Sequence, residues 1–157
     1  MTSLELKINY TEYSSLEELE EQDRILADAA IKAQATAYAP YSHFSVGAAV
    51  RMSNGDIVTG SNQENAAYPS GLCAERTAMF AASAKYPDEA MESIAVVAGP
   101  DGTICETPGT PCGACRQVMA QYQAKAGKPV SVIMIGAKAI WKFSKVDDIL
   151  PFIFDSI

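Results

Sequence analysis

The sequence predicts an α/β fold in three layers, with helices on both faces of a mixed five-stranded sheet. Three observations carry that expectation. Short apolar runs of strand type alternate along the chain with longer stretches of helical periodicity. Asn54-Gly55, between two of those runs, is a hairpin signal, so one strand pair is antiparallel. The chain has 157 residues and 48% hydrophobic content, enough for one domain with a real core. No repeat, linker or second domain is visible, and residues 1–20 read as an extension of unknown role.

Each element has a local reason. Leu4 to Tyr10 alternates apolar and polar residues, which reads as a short strand at a sheet edge or an oligomer contact, or as a disordered tail. Ser14 or Ser15 can cap a helix with Glu17 and Glu18 in its first turn, and the apolar spacing then runs on to Ala37 before Pro40. The acidic residues between Glu17 and Glu21 read as a solvated helix face. Phe44 to Arg51 reads as a central strand and Asp56 to Gly60 as its antiparallel return. A helix follows from Cys73 and ends before Pro87. Ile94 to Ala98 reads as a buried strand, and Gly113 to about Ala126 as a second helix. Pro129 to Gly136 is another buried strand, Ala139 to Phe143 a further one, and Ser144 can cap a short helix through Leu150.

Chemistry concentrates at Cys73-Ala74-Glu75 and at Pro111-Cys112-Gly113-Ala114-Cys115. Cys112 and Cys115 are three apart, so in the first turn of a helix they share a face and can share an ion. Cys73 at the start of another helix supplies a third sulfur, with Glu75 placed to reach whatever that ion binds. Three protein ligands leave one tetrahedral position of a zinc ion open, as catalytic zinc sites do. A C-x-x-C pair alone would equally fit a redox pair or half a structural zinc ribbon. C-x-E followed by P-C-x-x-C is more specific and matches the zinc-dependent nucleobase deaminase pattern. His43, thirty residues before Cys73, stays outside the zinc shell, and Cys105 reads as a free thiol.

Four runs in order carry a wider resemblance. They are Tyr38 to Ala49, Asn62 to Tyr68, Cys73 to Ala78, and Pro111 to Gln117. Together they resemble cytidine deaminase, in the short, homotetrameric form whose zinc ligands are all cysteine, from about residue 25 to the C-terminus. The resemblance implies zinc-dependent hydrolytic deamination of cytidine and 2′-deoxycytidine, with one Zn2+ per subunit on Cys73, Cys112 and Cys115. It implies that Asn62 and Glu64 hold the ribose, with Glu64 on the 3′-hydroxyl, and that backbone groups around Ala74 read the pyrimidine. Tyr68 is expected to reach a neighbouring subunit's site in a homotetramer. Phe154, with Phe152 as second choice, is expected to close over the base. Phe44 is a candidate for packing on base or sugar, with an ordinary core Phe as the alternative.

The expected chemistry follows from the residues. Zinc lowers the pKa of water, and Glu75 takes its proton, delivers it to N3 and later helps protonate the leaving ammonia. Three thiolates give the centre a net charge near −1, which opposes that acidification. Helix N-termini near the sulfurs, and Arg76 hydrogen-bonding to them, offset the charge.

Composition narrows the partners. A net charge of −7, with twelve Lys and Arg, disfavours a polynucleotide substrate and favours a small one. A carboxylate at Glu64 would repel a phosphate, which points to a nucleoside rather than a nucleotide. No run approaches the ~18 apolar residues of a membrane span, and no signal peptide is visible. Cysteines in metal spacing fit a reducing compartment, so a cytoplasmic protein is expected. The competing readings are another small-molecule deaminase, acting on an aminoacylated cytosine antibiotic or on guanine, and a non-enzymatic zinc-binding module.

Overall fold

The structure is a computed structural model and describes residues 1–155. Its strands are β1 (Thr11–Tyr13), β2 (Phe44–Met52), β3 (Ile57–Ser61), β4 (Met91–Pro100), β5 (Ser131–Ile135) and β6 (Ile140–Phe143). Its helices are α1 (Glu21–Gln34), α2 (Ala74–Lys85) and α3 (Gly113–Ala126). One sheet runs in the order β1-β6-β5-β4-β2-β3. Only β4 and β5 are parallel, so the sheet is mixed as expected.

The strand count is corrected from five to six. The additional strand is β1, which pairs Thr11 with Lys142 and Tyr13 with Ile140. The expected strand at Leu4 to Tyr10 does not form, and Leu4, Leu6 and Ile8 are exposed. Alternation marks a segment able to pair, but the four-residue edge of β6 takes Thr11–Tyr13 instead. Tyr10 lies just outside, stacked on Phe143 at 5.3 Å and edge-on to Trp141 at 5.7 Å.

Side-chain alternation produces the three layers. On β2, β4 and β5, Ala49, Ala95, Val97, Ile133 and Ile135 join Leu26, Ala27 and Ala30 of α1 in one buried cluster. Ala48, Val50, Ile94, Val96 and Met134 point the other way and join Ala78 and Met79 of α2 and Met119 of α3. Strands covered on both faces are why these runs read as continuously apolar.

Several boundaries differ from the expected ones. Ser14 and Ser15 do not begin α1. The Ser14 N–H donates to Glu18 Oε2 at 2.9 Å over a short 3-10 turn at Leu16–Glu18. Helix α1 ends at Gln34 rather than Ala37, because the Thr36 N–H and hydroxyl both return to the Ala33 carbonyl. The β2–β3 loop exceeds two residues, since Arg51 and Ile57 form the last pair. Gly55 turns it with φ of +88°. Ser144 caps no α-helix, and Val146–Asp148 is a 3-10 turn.

One close approach sets the position of α2. A Cβ on Gly60 of β3 would lie 2.4 Å from the Ala78 nitrogen and 2.8 Å from the Ala74 carbonyl oxygen. The first turns of α2 therefore rest directly on the sheet, beside the residue that precedes Glu75.

Candidate metal centre and cleft

Cys73 is the N-cap residue of α2 and Cys112 that of α3, and both have extended backbone. Neither side chain caps its helix, which leaves both sulfurs available. Cys115 lies in the first turn of α3 and is buried. Cys73 Sγ is 4.0 Å from Cys112 Sγ, Cys112 Sγ is 3.5 Å from Cys115 Sγ, and all three lie within 4.8 Å of one another. Sulfurs tetrahedrally bound to zinc at ~2.3 Å stand about 3.8 Å apart, so the spacing fits this metal. The soft donor set fits it too.

Electrostatics support the same assignment. Cys73 is drawn down to about 5, by its contact with Cys115 first and then, against burial, by Arg76 and Cys112. Cys115 is pushed upward by the Cys73 sulfur and by burial. Three thiols this close share protons, and a divalent cation is what would allow all three to ionise. Arg76 Nη2 lies 3.6 Å from Cys73 Sγ, and its buried Nε has no acceptor among the described residues. Arg116 braces the cysteine pair by donating from Nε to the Pro111 carbonyl at 2.8 Å.

Glu75 is only 4% exposed. Burial, aided by the neighbouring Cys73 charge and partly opposed by a backbone hydrogen bond, raises its carboxyl above the ordinary range. A carboxyl tuned toward neutrality can both take and give a proton.

A cleft of about 840 Å3 runs past this group. Cys73, Glu75, Arg76 and Cys112 line it together with Phe44, Asn62, Glu64 and Tyr68. The fold thus brings eight of the expected residues to one cavity. Cys115 and Ala74 lie buried beneath it. As the first residue of α2, Ala74 has an N–H without an intrahelical partner. Phe44 is 39% exposed, which places it in the cleft wall and not in the core.

Asn62 and Glu64 are more occupied than a sugar clasp alone would be. Asn62 Oδ1 accepts from the Val46 N–H at 2.8 Å, and its Nδ2 donates to the Phe44 carbonyl at 2.9 Å. Glu64 Oε2 accepts from the N–H groups of Tyr41 at 2.9 Å and Ser42 at 3.2 Å. Each retains hydrogen-bonding capacity beyond these bonds.

Phe154 is not brought to the cleft of its own subunit. It lies along α3, where its N–H and carbonyl pair with the Gln117 side chain. Phe152 is 86% exposed and also lies outside the cleft lining. His43 and Cys105 are outside the sulfur cluster, and His43 lies 3.9 Å from Asp101 at the surface. The cleft also uses residues that sequence reasoning missed, including Tyr41, Leu72, Val96, Ala98, Gly109 and Thr110. Tyr41 stood within a run already singled out. Gly109 carries a weaker signal, a glycine close before the Pro-Cys pair, and a Cβ there would lie 2.8 Å from the Ala98 Cβ.

The model of the family described as "Cytidine and deoxycytidylate deaminase zinc-binding region" matches residues 20–130. The chain belongs to this deaminase family. It is 47% identical to a cytidine deaminase of Halalkalibacterium halodurans over 98 residues, which cover 62% of this chain and 70% of that one. It is also 47% identical to one from Sporosarcina psychrophila over 91 residues, 58% of this chain and 62% of that one. A crystal structure of cytidine deaminase from Burkholderia pseudomallei is similar, with a TM-score of 0.67 and 38% identity over 83% of this chain and 97% of that one. The three-sulfur cluster and the family's zinc-binding region agree on the cofactor, one zinc per subunit.

Proposed function

We propose that this deaminase-family chain hydrolyses cytidine and 2′-deoxycytidine to uridine and 2′-deoxyuridine, with release of ammonia. The observation that carries the reading is the buried Glu75 carboxylate beside three clustered sulfurs at one cleft, two of them in its wall and Cys115 buried. Zinc held by Cys73, Cys112 and Cys115 supplies the Lewis acidity that makes water nucleophilic near neutral pH. Glu75 takes the proton that water gives up and places it on N3 of the base. The water oxygen bonds to C4, Glu75 takes the second proton from that oxygen and passes it to the amine, and the C4–N4 bond breaks as C4=O forms, so that ammonia leaves. Arg76 spreads the charge of the sulfurs, and the Ala74 N–H is placed to hold the pyrimidine. Phe44 packs on base or sugar.

Glu64 and Asn62 take the sugar hydroxyls with their remaining capacity. The Glu64 carboxyl is held below its usual range, by the Ser42 hydroxyl first and then by the Tyr41 N–H, so it stays ionised at neutral pH. An ionised carboxylate there disfavours a 5′-phosphate, and the acidic chain as a whole disfavours polynucleotides. The chain works in pyrimidine salvage, in the cytoplasm, as a homotetramer. Among the described residues no helix is long and apolar enough to cross a membrane. Tyr68 is 77% exposed beside Tyr41, which leaves it available to a neighbouring subunit's site in the homotetramer. Phe154, remote from its own cleft, serves a site only after the C-terminal segment moves or through a subunit contact.

Ammonia release from cytidine, with and without a zinc chelator, tests the reading. We expect turnover that the chelator abolishes and added zinc restores, with cytidine monophosphate a much poorer substrate. A zinc-loaded chain that leaves cytidine untouched would refute it and favour a non-enzymatic zinc module.

A further inference from the structure

The acidic side chain that the cleft offers to a sugar is held by a neighbouring turn. Glu64 Oε2 accepts from the Tyr41 and Ser42 N–H groups at 2.9 and 3.2 Å. Ser42 Oγ accepts from the Phe44 N–H at 3.1 Å. Between them His43 adopts a φ of +54°, a left-handed backbone that non-glycine residues seldom take. The bond from the Phe44 N–H to Ser42 Oγ closes that turn, and the closed turn presents the Tyr41 and Ser42 N–H groups to Glu64. Ser42 is also the foremost of the neighbours that draw the Glu64 carboxyl below its ordinary range.

We propose that Ser42 is a positioning residue for sugar recognition, fixing the Glu64 carboxylate in the orientation that takes a substrate hydroxyl. This rests on the reading of the cleft as a nucleoside site. A carboxylate fixed before binding loses little rotamer freedom when the substrate arrives. Such a contact is made equally in the ground and transition states, so it acts on KM and leaves kcat alone.

The test uses the zinc-loaded full chain with Ser42→Ala and Ser42→Thr. Ser42 is exposed, so neither change removes core packing. We expect Ser42→Ala to raise KM for cytidine about five- to tenfold, from the loss of about one hydrogen bond, with kcat within about twofold. Ser42→Thr restores the hydroxyl and stays within about twofold of the parent in both constants. 3′-Deoxycytidine, tested as a competitive inhibitor, gives the same inhibition constant with parent and Ser42→Ala, because the hydroxyl read through Glu64 is gone. An unchanged KM for cytidine, a fall confined to kcat, or equal weakening towards both nucleosides would overturn the proposal. A parent chain that does not turn over cytidine would instead overturn the nucleoside reading beneath it.

Discussion

Glu75 and Arg76 stand two and three residues after Cys73, yet they face different tasks. The carboxyl is buried and held above its ordinary range, while the guanidinium touches sulfur. Glu75→Gln keeps the shape and removes the ability to carry a proton. We expect its zinc content to match the parent and its turnover to fall by roughly 10²- to 10⁴-fold. Metal analysis and loss of cytidine's ultraviolet absorbance check the two halves. The sulfurs and Glu75 were legible in the sequence because each spacing lies within a few residues and a helical turn fixes it. The bonds from Asn62 and Glu64 to residues 41–46 were not, because they depend on how one loop folds against another. Gly109 in the cleft lining depends likewise on strand β4 passing beneath it. Phe154 was assigned to the site by family resemblance, and its own chain gives it a different place, against Gln117.

At the scale of elements, the centre depends on two helix starts that must meet. Helix α2 begins on the sheet because Gly60 has no side chain. Gly60→Ala would place its Cβ against backbone, which cannot swing aside as a side chain can. We expect a loss of about 1–3 kcal/mol in stability, lower zinc occupancy and lower activity, checked by thermal unfolding and metal analysis. Helices α2 and α3 and strands β2 to β6 were visible in advance, since apolar period and Gly, Pro and cap residues mark them locally. The ends of α1 were less visible. Thr36 bonds back to Ala33 and closes the helix before Pro40 is reached. The N-terminal strand was misplaced because alternation in Leu4 to Tyr10 says that a segment can pair, not which residues meet the waiting edge.

Across the whole molecule, a buried carboxylate joins parts distant in the chain. Asp23 of α1 is 3% exposed, pairs with Arg51 of β2 at 3.5 Å and also contacts Lys142 of β6. Asp23→Asn would leave two inward cations without their counter-charge. We expect a loss of about 3 kcal/mol in unfolding free energy, with the cleft's chemistry intact in the folded fraction. Lys142 is lowered by burial but raised more by Asp23, so its folded pKa lies above 10.5. Its contribution is therefore complete below about pH 10.5 and fades as pH rises through the higher folded value. Melting curves of parent and Asp23→Asn should converge in strong alkali. Strand β1 has a further effect on the outer side of β6. Glu12 accepts from the Trp141 indole at 2.8 Å, and Tyr10 covers Phe143. A chain trimmed to begin at Ser14 would bare a row of amides flanked by two aromatic rings, a template for other molecules to zip onto. Such a protein should scatter light as it concentrates while keeping its specific activity when dilute, which makes residues 1–13 the hem that stops the fabric from catching on its neighbours.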